Sequence, residues 1–166
     1  AGSIYLKLTT TDNGTCRPVK DSILLTLTNA PVVDAGSDTT LCADINALQL
    51  NGSKMNALGA LWTGTGTGSF SSNAIILNPN YIPSHADTAA GSVKLKLFTT
   101  GNGNCQQVAD SIIITLTNAP TISAGTYQIL CSDVTSIALN ALRTTATSST
   151  WTTANGSGII ADSSLL

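Results

Sequence analysis

Ser92-Val93-Lys94-Leu95-Lys96-Leu97-Phe98, then Asn102-Gly103, then Asp110-Ser111-Ile112-Ile113-Ile114-Thr115-Leu116-Thr117 is the stretch that decides the fold. Val93, Leu95 and Leu97 fall on one face and the lysines on the other, the period-two signature of a half-buried strand. Asn102-Gly103 tolerates positive φ and marks a tight turn. Asp110 to Thr117 is the returning strand. The reading is a β-hairpin, and residues 3–28 repeat it with Asn13-Gly14 at the tip.

The repetition extends over the whole chain. Cys16 recurs as Cys105, Pro31 as Pro120, Cys42 as Cys131 and Trp62 as Trp151, each 89 residues later and without a gap. Residues 1–77 match residues 90–166 at 32 of 77 positions. A period this long exceeds a solenoid repeat and suits one small β-sandwich. The expected organisation is the C-terminal part of one repeat at 1–30, a complete repeat at 31–119, and the N-terminal part of the next at 120–166. Ala1-Gly2-Ser3 matches Ala90-Gly91-Ser92 in mid-repeat, so the chain reads as a segment of a longer one.

Outward from the hairpin, Asn118-Ala119-Pro120 ends the returning strand, as Asn29-Ala30-Pro31 does one period earlier. Pro at that junction removes a backbone donor where it is little missed. The next strand follows at once, as Val32-Val33 or Thr121-Ile122. A connection this short predicts a stiff rod rather than a tethered string. Ala47–Gly52, Ala60–Thr63, Ala74–Leu77 and Tyr81-Ile82 read as further short strands, with Trp62 in an inter-sheet core position. Ala86–Ala90 reads as the one helical turn. The Thr63–Gly68 alternation of Thr and Gly lacks the strand–loop–helix context and Lys of a phosphate loop, and reads as a bulged edge or turn. The second copy carries one extra residue there, at Gly156-Ser157-Gly158. The expected fold class is all-β: tandem immunoglobulin-like antiparallel β-sandwiches, about seven strands per unit.

Composition narrows the function. Charged residues make up 10% of the chain, against roughly 25% in a typical soluble domain. Thr, Ser, Asn and Gly fill the deficit, a neutral hydroxyl-rich surface typical of extracellular β-repeats. The net charge is −2, and the seven Lys and Arg are scattered, so the basic stripe of a nucleic-acid binder is absent. No apolar run approaches the roughly 18 residues of a membrane-spanning helix, and no membrane insertion is expected. The single histidine, His85, lies in a polar loop with no Ser–His–Asp spacing around it. No enzyme, cofactor or metal is expected. Asp21, Asp44, Asp110 and Asp133 recur between copies but suit turn and strand-start roles better than a calcium cluster.

One unit contains Ala30-Pro31-x-x-x-Ala35-Gly36, Cys42, Trp62-Thr63-Gly64-Thr65-Gly66 and Asn78-Pro79-x-Tyr81-x-Pro83-Ser84. It continues with Ala90-Gly91-Ser92-Val93-x-Leu95, Gly101-Asn102-Gly103-x-Cys105 and Asp110-Ser111-Ile112-x-x-Thr115-Leu116-Thr117. This pattern resembles the tandem PKD/immunoglobulin-like repeats of giant surface proteins in the Bacteroidetes, of the SprB-like gliding adhesin type exported by type IX secretion. The resemblance spans the whole chain. It implies an extracellular, cell-surface filament with roles in attachment or gliding. The implied partners are neighbouring repeats, a surface polysaccharide or substratum, and the secretion and motility machinery of the cell envelope.

Four cysteines at two recurring positions suit an oxidising compartment. Cys16, Cys42, Cys105 and Cys131 are disulfide candidates, with two pairings open. One joins each first-strand cysteine to the hairpin cysteine of the next repeat, so that Cys42 pairs beyond its own unit. The other is the intradomain pair Cys42–Cys105. Free buried thiols are the alternative to both. Asp-Ser/Thr followed by a small or apolar residue resembles the O-glycosylation motif of the same bacteria, at Ser22, Ser111, Thr88 and Thr39. Two other functions are weighed against a structural shaft. A polysaccharide-binding module would use exposed aromatics, of which Tyr5, Tyr81 and Tyr127 are the tyrosine candidates. A spacer in a secreted enzyme would need a catalytic domain elsewhere.

Overall fold

The computed structural model describes residues 2–156, 159–161 and 163. Positions 157 and 158 of the expected Gly156-Ser157-Gly158 insertion lie outside the described residues. The chain opens on an antiparallel hairpin, β1 (Gly2–Thr9) and β2 (Lys20–Leu27), registered Ser3 to Thr26 and Leu6 to Ile23. The complete unit follows: β3 (Val32–Asp34), β4 (Thr39–Cys42), β5 (Leu48–Gln49), β6 (Ser53–Met55), β7 (Gly59–Gly64), β8 (Ser69–Phe70), β9 (Asn80–Ile82), α1 (His85–Ala90), β10 (Ser92–Thr100) and β11 (Ala109–Thr117). A last pair, β12 (Thr121–Ser123) and β13 (Leu142–Thr144), belongs to the third unit.

The unit is an all-β sandwich, as its alternation predicts. One layer is the four-stranded sheet β4-β11-β10-β7. Facing it are the short sheets β3-β6 and β5-β9-β8. Val93, Leu95 and Leu97 of β10 and Ile112, Ile114 and Leu116 of β11 point inward and are buried with Trp62, Tyr81, Leu50 and Ala35. At roughly 1.5–3 kcal/mol for each large apolar side chain buried, this core offsets much of the chain entropy lost on folding. Thr99 is buried at the end of the same face and exchanges hydrogen bonds with Val108 across the hairpin.

The sheets are antiparallel as expected, with one parallel pair among the described residues: β4 runs parallel to β11. The cause is a bend at Gly36, whose φ of 92° is open to glycine and strained for other residues. β3 pairs antiparallel with β6, and beyond the bend the chain crosses to the other sheet and runs alongside β11. Carboxylates hold the crossing. Asp34 Oδ1 accepts from the Gly36 N–H at 2.8 Å, Asp110 Oδ2 from Ala35 at 2.9 Å, and Asp38 Oδ1 from Ile113 at 2.7 Å.

Two further differences are local. Ala74–Leu77 is a turn rather than a strand, because the Asn73 side chain and carbonyl take the Ile75 and Ile76 N–H groups. β4 and β6 are too short to show a period of their own. The helix is where the sequence suggests, started by Ser84 in a reciprocal cap with Asp87 and stopped by Gly91.

The 89-residue period is written in the backbone as well. Positive φ recurs at Asp12 and Gly101, Gly14 and Gly103, Gly36 and Gly125, and Asn56 and Thr145, every pair one period apart. The β12–β13 register, Thr121 to Thr144, is the β3–β6 register, Val32 to Met55, moved by the same step.

Candidate functional site: the joint between repeats

Thr28 to Pro31 is all that separates β2 from β3. Pro31 is buried, so the connection enters the unit directly. Two loops of the complete unit receive it. From the β6–β7 turn, Asn56 Nδ2 donates to the Ala30 carbonyl at 2.9 Å. From the β10–β11 tip, Cys105 Sγ lies 3.3 Å from Thr28 Oγ1 and 3.7 Å from the Asn29 carbonyl. The two loops also meet each other, where Leu58 N–H donates to the Gly101 carbonyl at 3.4 Å. Between them lies an open cleft of about 490 Å³, lined by Asn29, Asn56, Leu58 and Asn104 among others. The side chains that touch the connection are an amide and a thiol, and the cleft wall holds no charged side chain.

The turn residues explain why the sequence folds this way here. Asn56 adopts a φ of 56°, a left-handed conformation that asparagine reaches at low cost. That conformation turns its amide back toward Ala30. Gly101 brings its backbone against the Leu58 side chain, and a Cβ there would stand 2.8 Å from Leu58 Cβ.

A second polar constellation lies inside the unit. The Asp87 carboxylate accepts from Thr67 N at 2.9 Å, Gly68 N at 2.9 Å, Ser84 N at 2.9 Å and Tyr81 Oη at 2.8 Å. Burial alone would raise this carboxyl, but the backbone donors of Ser84 and Thr67 and the Tyr81 and Ser84 side chains hold it below the ordinary range. Burial, reinforced by the adjacent carboxylate, pushes the Tyr81 hydroxyl above its usual range. The Thr-Gly run therefore does cradle an anion, the protein's own. A Cβ at Gly66 would collide with Tyr81 Oη and Val93 Cγ2 at 2.6 Å, and one at Gly68 with Tyr81 Cζ at 2.7 Å. Sequence reading missed this latch because its parts lie up to 20 residues apart.

The four cysteines are free thiols, Cys16 and Cys131 exposed, Cys42 and Cys105 half-buried. No disulfide joins any two of them, which corrects the expected Cys42–Cys105 pair, and buried thiols are not found either; the pairing of Cys42 beyond its own unit involves a cysteine that is not one of these four. The Cys42–Cys105 pairing fails on distance. Cys42 is registered opposite Thr117 at one end of β11, and Cys105 precedes Ala109 at the other. Nine residues of strand put them roughly 25 Å apart, against a Cα limit of about 7 Å.

Of the glycosylation candidates, Ser22 is exposed on β2, while Ser111 on β11, Thr39 on β4 and Thr88 on α1 are half-buried. Thr88 Oγ1 donates to the His85 carbonyl at 2.9 Å, and His85 itself opens α1 on the surface. Asp21 and Asp110 take backbone donors, and no group of three His, Cys, Asp or Glu converges among the described residues. Tyr81 packs against Phe70 in the core, which leaves Tyr5 and Tyr127 as the exposed tyrosines, on separate units. No helix among the described residues is long and apolar enough to cross a membrane. The chain matches no protein-family model and no curated protein sequence.

Proposed function

We propose that this chain is a shaft segment of a long extracellular repeat adhesin that serves surface attachment or gliding, and that it works by reach and rigidity rather than catalysis. The observation that carries the reading is the linkerless joint. Four residues connect β2 to β3, and Asn56 and Cys105 of the following unit grip that connection. A repeat built to bind small molecules has no need to seize its neighbour's last strand. A repeat that transmits force does, because each contact removes a degree of bending freedom.

The gliding and secretion aspects rest on the motif resemblance alone. Polysaccharide recognition by the units is the weaker reading, because the exposed tyrosines do not gather into a stacking platform. The test is to label live cells of the source organism with an antibody against residues 31–119. Label that lies on the surface and travels along the cell is the expected result. Static surface label would replace motility with a passive stalk. Label found only in the medium would overturn the adhesin and favour a spacer of a secreted enzyme.

A further inference from the structure

We infer that successive repeats are stapled by a disulfide from the β4 cysteine of one unit to the β10–β11 tip cysteine of the unit that follows. The inference rests on the shaft reading in one respect, that further copies adjoin this chain. Its geometry comes from two halves of the same contact, each visible at a different joint.

The first half is Cys42. In the parallel β4–β11 ladder Cys42 stands directly opposite Thr117. Neighbouring strands lie about 4.8 Å apart, and directly opposed residues point to the same face. Thr117 Oγ1 donates to the Leu41 carbonyl at 3.1 Å, so its hydroxyl leans toward β4. Ala43 N–H donates to the Thr117 carbonyl at 2.8 Å, which pins Cys42 from the other side.

The second half is Cys105. Its sulfur lies 3.3 Å from Thr28 Oγ1, and Thr28 is Thr117 one period earlier. Asn29, whose carbonyl lies 3.7 Å from the same sulfur, is likewise the counterpart of Asn118. The β1–β2 and β10–β11 registers are the same, so the two threonines occupy the same place in their hairpins. One threonine position therefore has a β4 cysteine beside it and a tip cysteine from the next unit against its hydroxyl. Placing both at one joint brings the sulfurs to the same threonine.

The arrangement also accounts for four free thiols. Within these residues no β4 cysteine is followed by a complete unit bearing its own tip cysteine. Cys42 would need the tip of the third unit, and Cys105 the β4 cysteine of the first.

Bond formation needs an oxidant, and a small-molecule or protein disulfide serves. One cysteine thiolate attacks that disulfide and releases one thiol; the second attacks the mixed disulfide and releases the other. Two thiols are oxidised, one disulfide is reduced, and the two protons leave with the product thiols.

The test inserts a second copy of residues 31–119 between Ala119 and Pro120, which reproduces the Asn-Ala-Pro joint. The chain is refolded with oxidised and reduced glutathione, and its thiols are counted by alkylation and mass spectrometry. The expected result is one disulfide and four free thiols. Cys42→Ser in the first copy abolishes the bond, and the same change in the second copy leaves it. A bond insensitive to the first change, or six free thiols in a folded chain, overturns the inference. Thr28→Cys in the unextended chain is the companion variant, and it keeps the test decisive if the extended chain does not fold. It should link to Cys105 under the same conditions, and failure to do so overturns the joint geometry. Neither result bears on where the protein resides, so the adhesin reading stands or falls by the labelling experiment.

Discussion

The hairpins β1–β2 and β10–β11 share their register and most of their inward residues, yet their fates differ. Val93, Leu95 and Leu97 are 2%, 0% and 0% exposed, whereas their counterparts Ile4, Leu6 and Leu8 are 50%, 49% and 77% exposed. Ile112, Ile114 and Leu116 are buried, and Ile23, Leu25 and Leu27 are open. What differs is the partner layer. Tyr81 and Leu50 cover the β10–β11 face, with Trp62 of the adjacent β7 packed in the same core, and nothing among the described residues covers the other. The comparison separates two things a strand pattern encodes. Alternation and turn residues suffice for pairing and register. Burial, and with it most of the stability, comes from the facing sheet.

The largest expected effect tests that separation with one substitution at two equivalent places. Leu95→Ala should destabilise the unit by about 3–4 kcal/mol, the usual cost of truncating a fully buried leucine. Leu6→Ala should shift the same transition by less than about 0.5 kcal/mol, as an exposed substitution does. Urea denaturation followed by tryptophan fluorescence reads both, since Trp62 is buried in the affected core. Comparable losses at the two sites would mean that the first hairpin has found cover of its own.

The next effect concerns what locks the facing layer onto the hairpin. Asp87→Ala leaves the Thr67, Gly68 and Ser84 N–H groups and the Tyr81 hydroxyl without their acceptor. A loss on the order of 3 kcal/mol is expected, since each buried unpaired donor costs about 1 kcal/mol or more. The pH dependence has a definite sign. The folded Asp87 carboxyl lies below its unfolded value near 4, so its stabilisation is complete above that value and is lost as pH falls through the folded one. Tyr81 works in the opposite direction. Its folded value lies above the unfolded value near 10, so its contribution is complete below pH 10 and declines as pH rises beyond it. Acid and alkaline titrations of Asp87→Asn and Tyr81→Phe should each lose one arm of this profile. A profile unchanged by both would show that the latch does not couple to folding.

Most of the architecture was legible because it is periodic. Alternation revealed β10 and β11, Asn-Gly the turn, Ala86–Ala90 the helix, and the 89-residue step the unit itself. Three features were not. The β4–β11 pairing is parallel because of a bend at Gly36, and strands of three and four residues on either side of a bend carry no period to read. Asp87 sits in a polar Ser-His-Ala-Asp segment that looks like surface, and only the fold brings the Thr-Gly run onto it. At the joint, the recurring cysteines are legible but Asn56 is not, because an isolated asparagine in Lys-Met-Asn-Ala gives no sign that its amide crosses to another unit.

The smallest effect compares the two joints. The position held by Asn56 at the first is held by Thr145 at the second, and both adopt left-handed backbone, at φ 56° and 65°. Asparagine visits this region readily, whereas a β-branched residue pays about 1–2 kcal/mol for it. Threonine also offers a hydroxyl where Asn56 reaches the Ala30 carbonyl with an amide. Thr145→Asn should therefore stabilise the β12–β13 pair by about 1 kcal/mol and slow amide exchange at Thr121–Ser123 several-fold. Asn56→Thr should do the reverse at Val32–Asp34, adding the strain and removing the amide at once. Opposite signs at the two joints would show that one residue sets how firmly each repeat grips its predecessor. Equal signs would mean that the grip comes from the strand pairing, whose register is the same at the two joints.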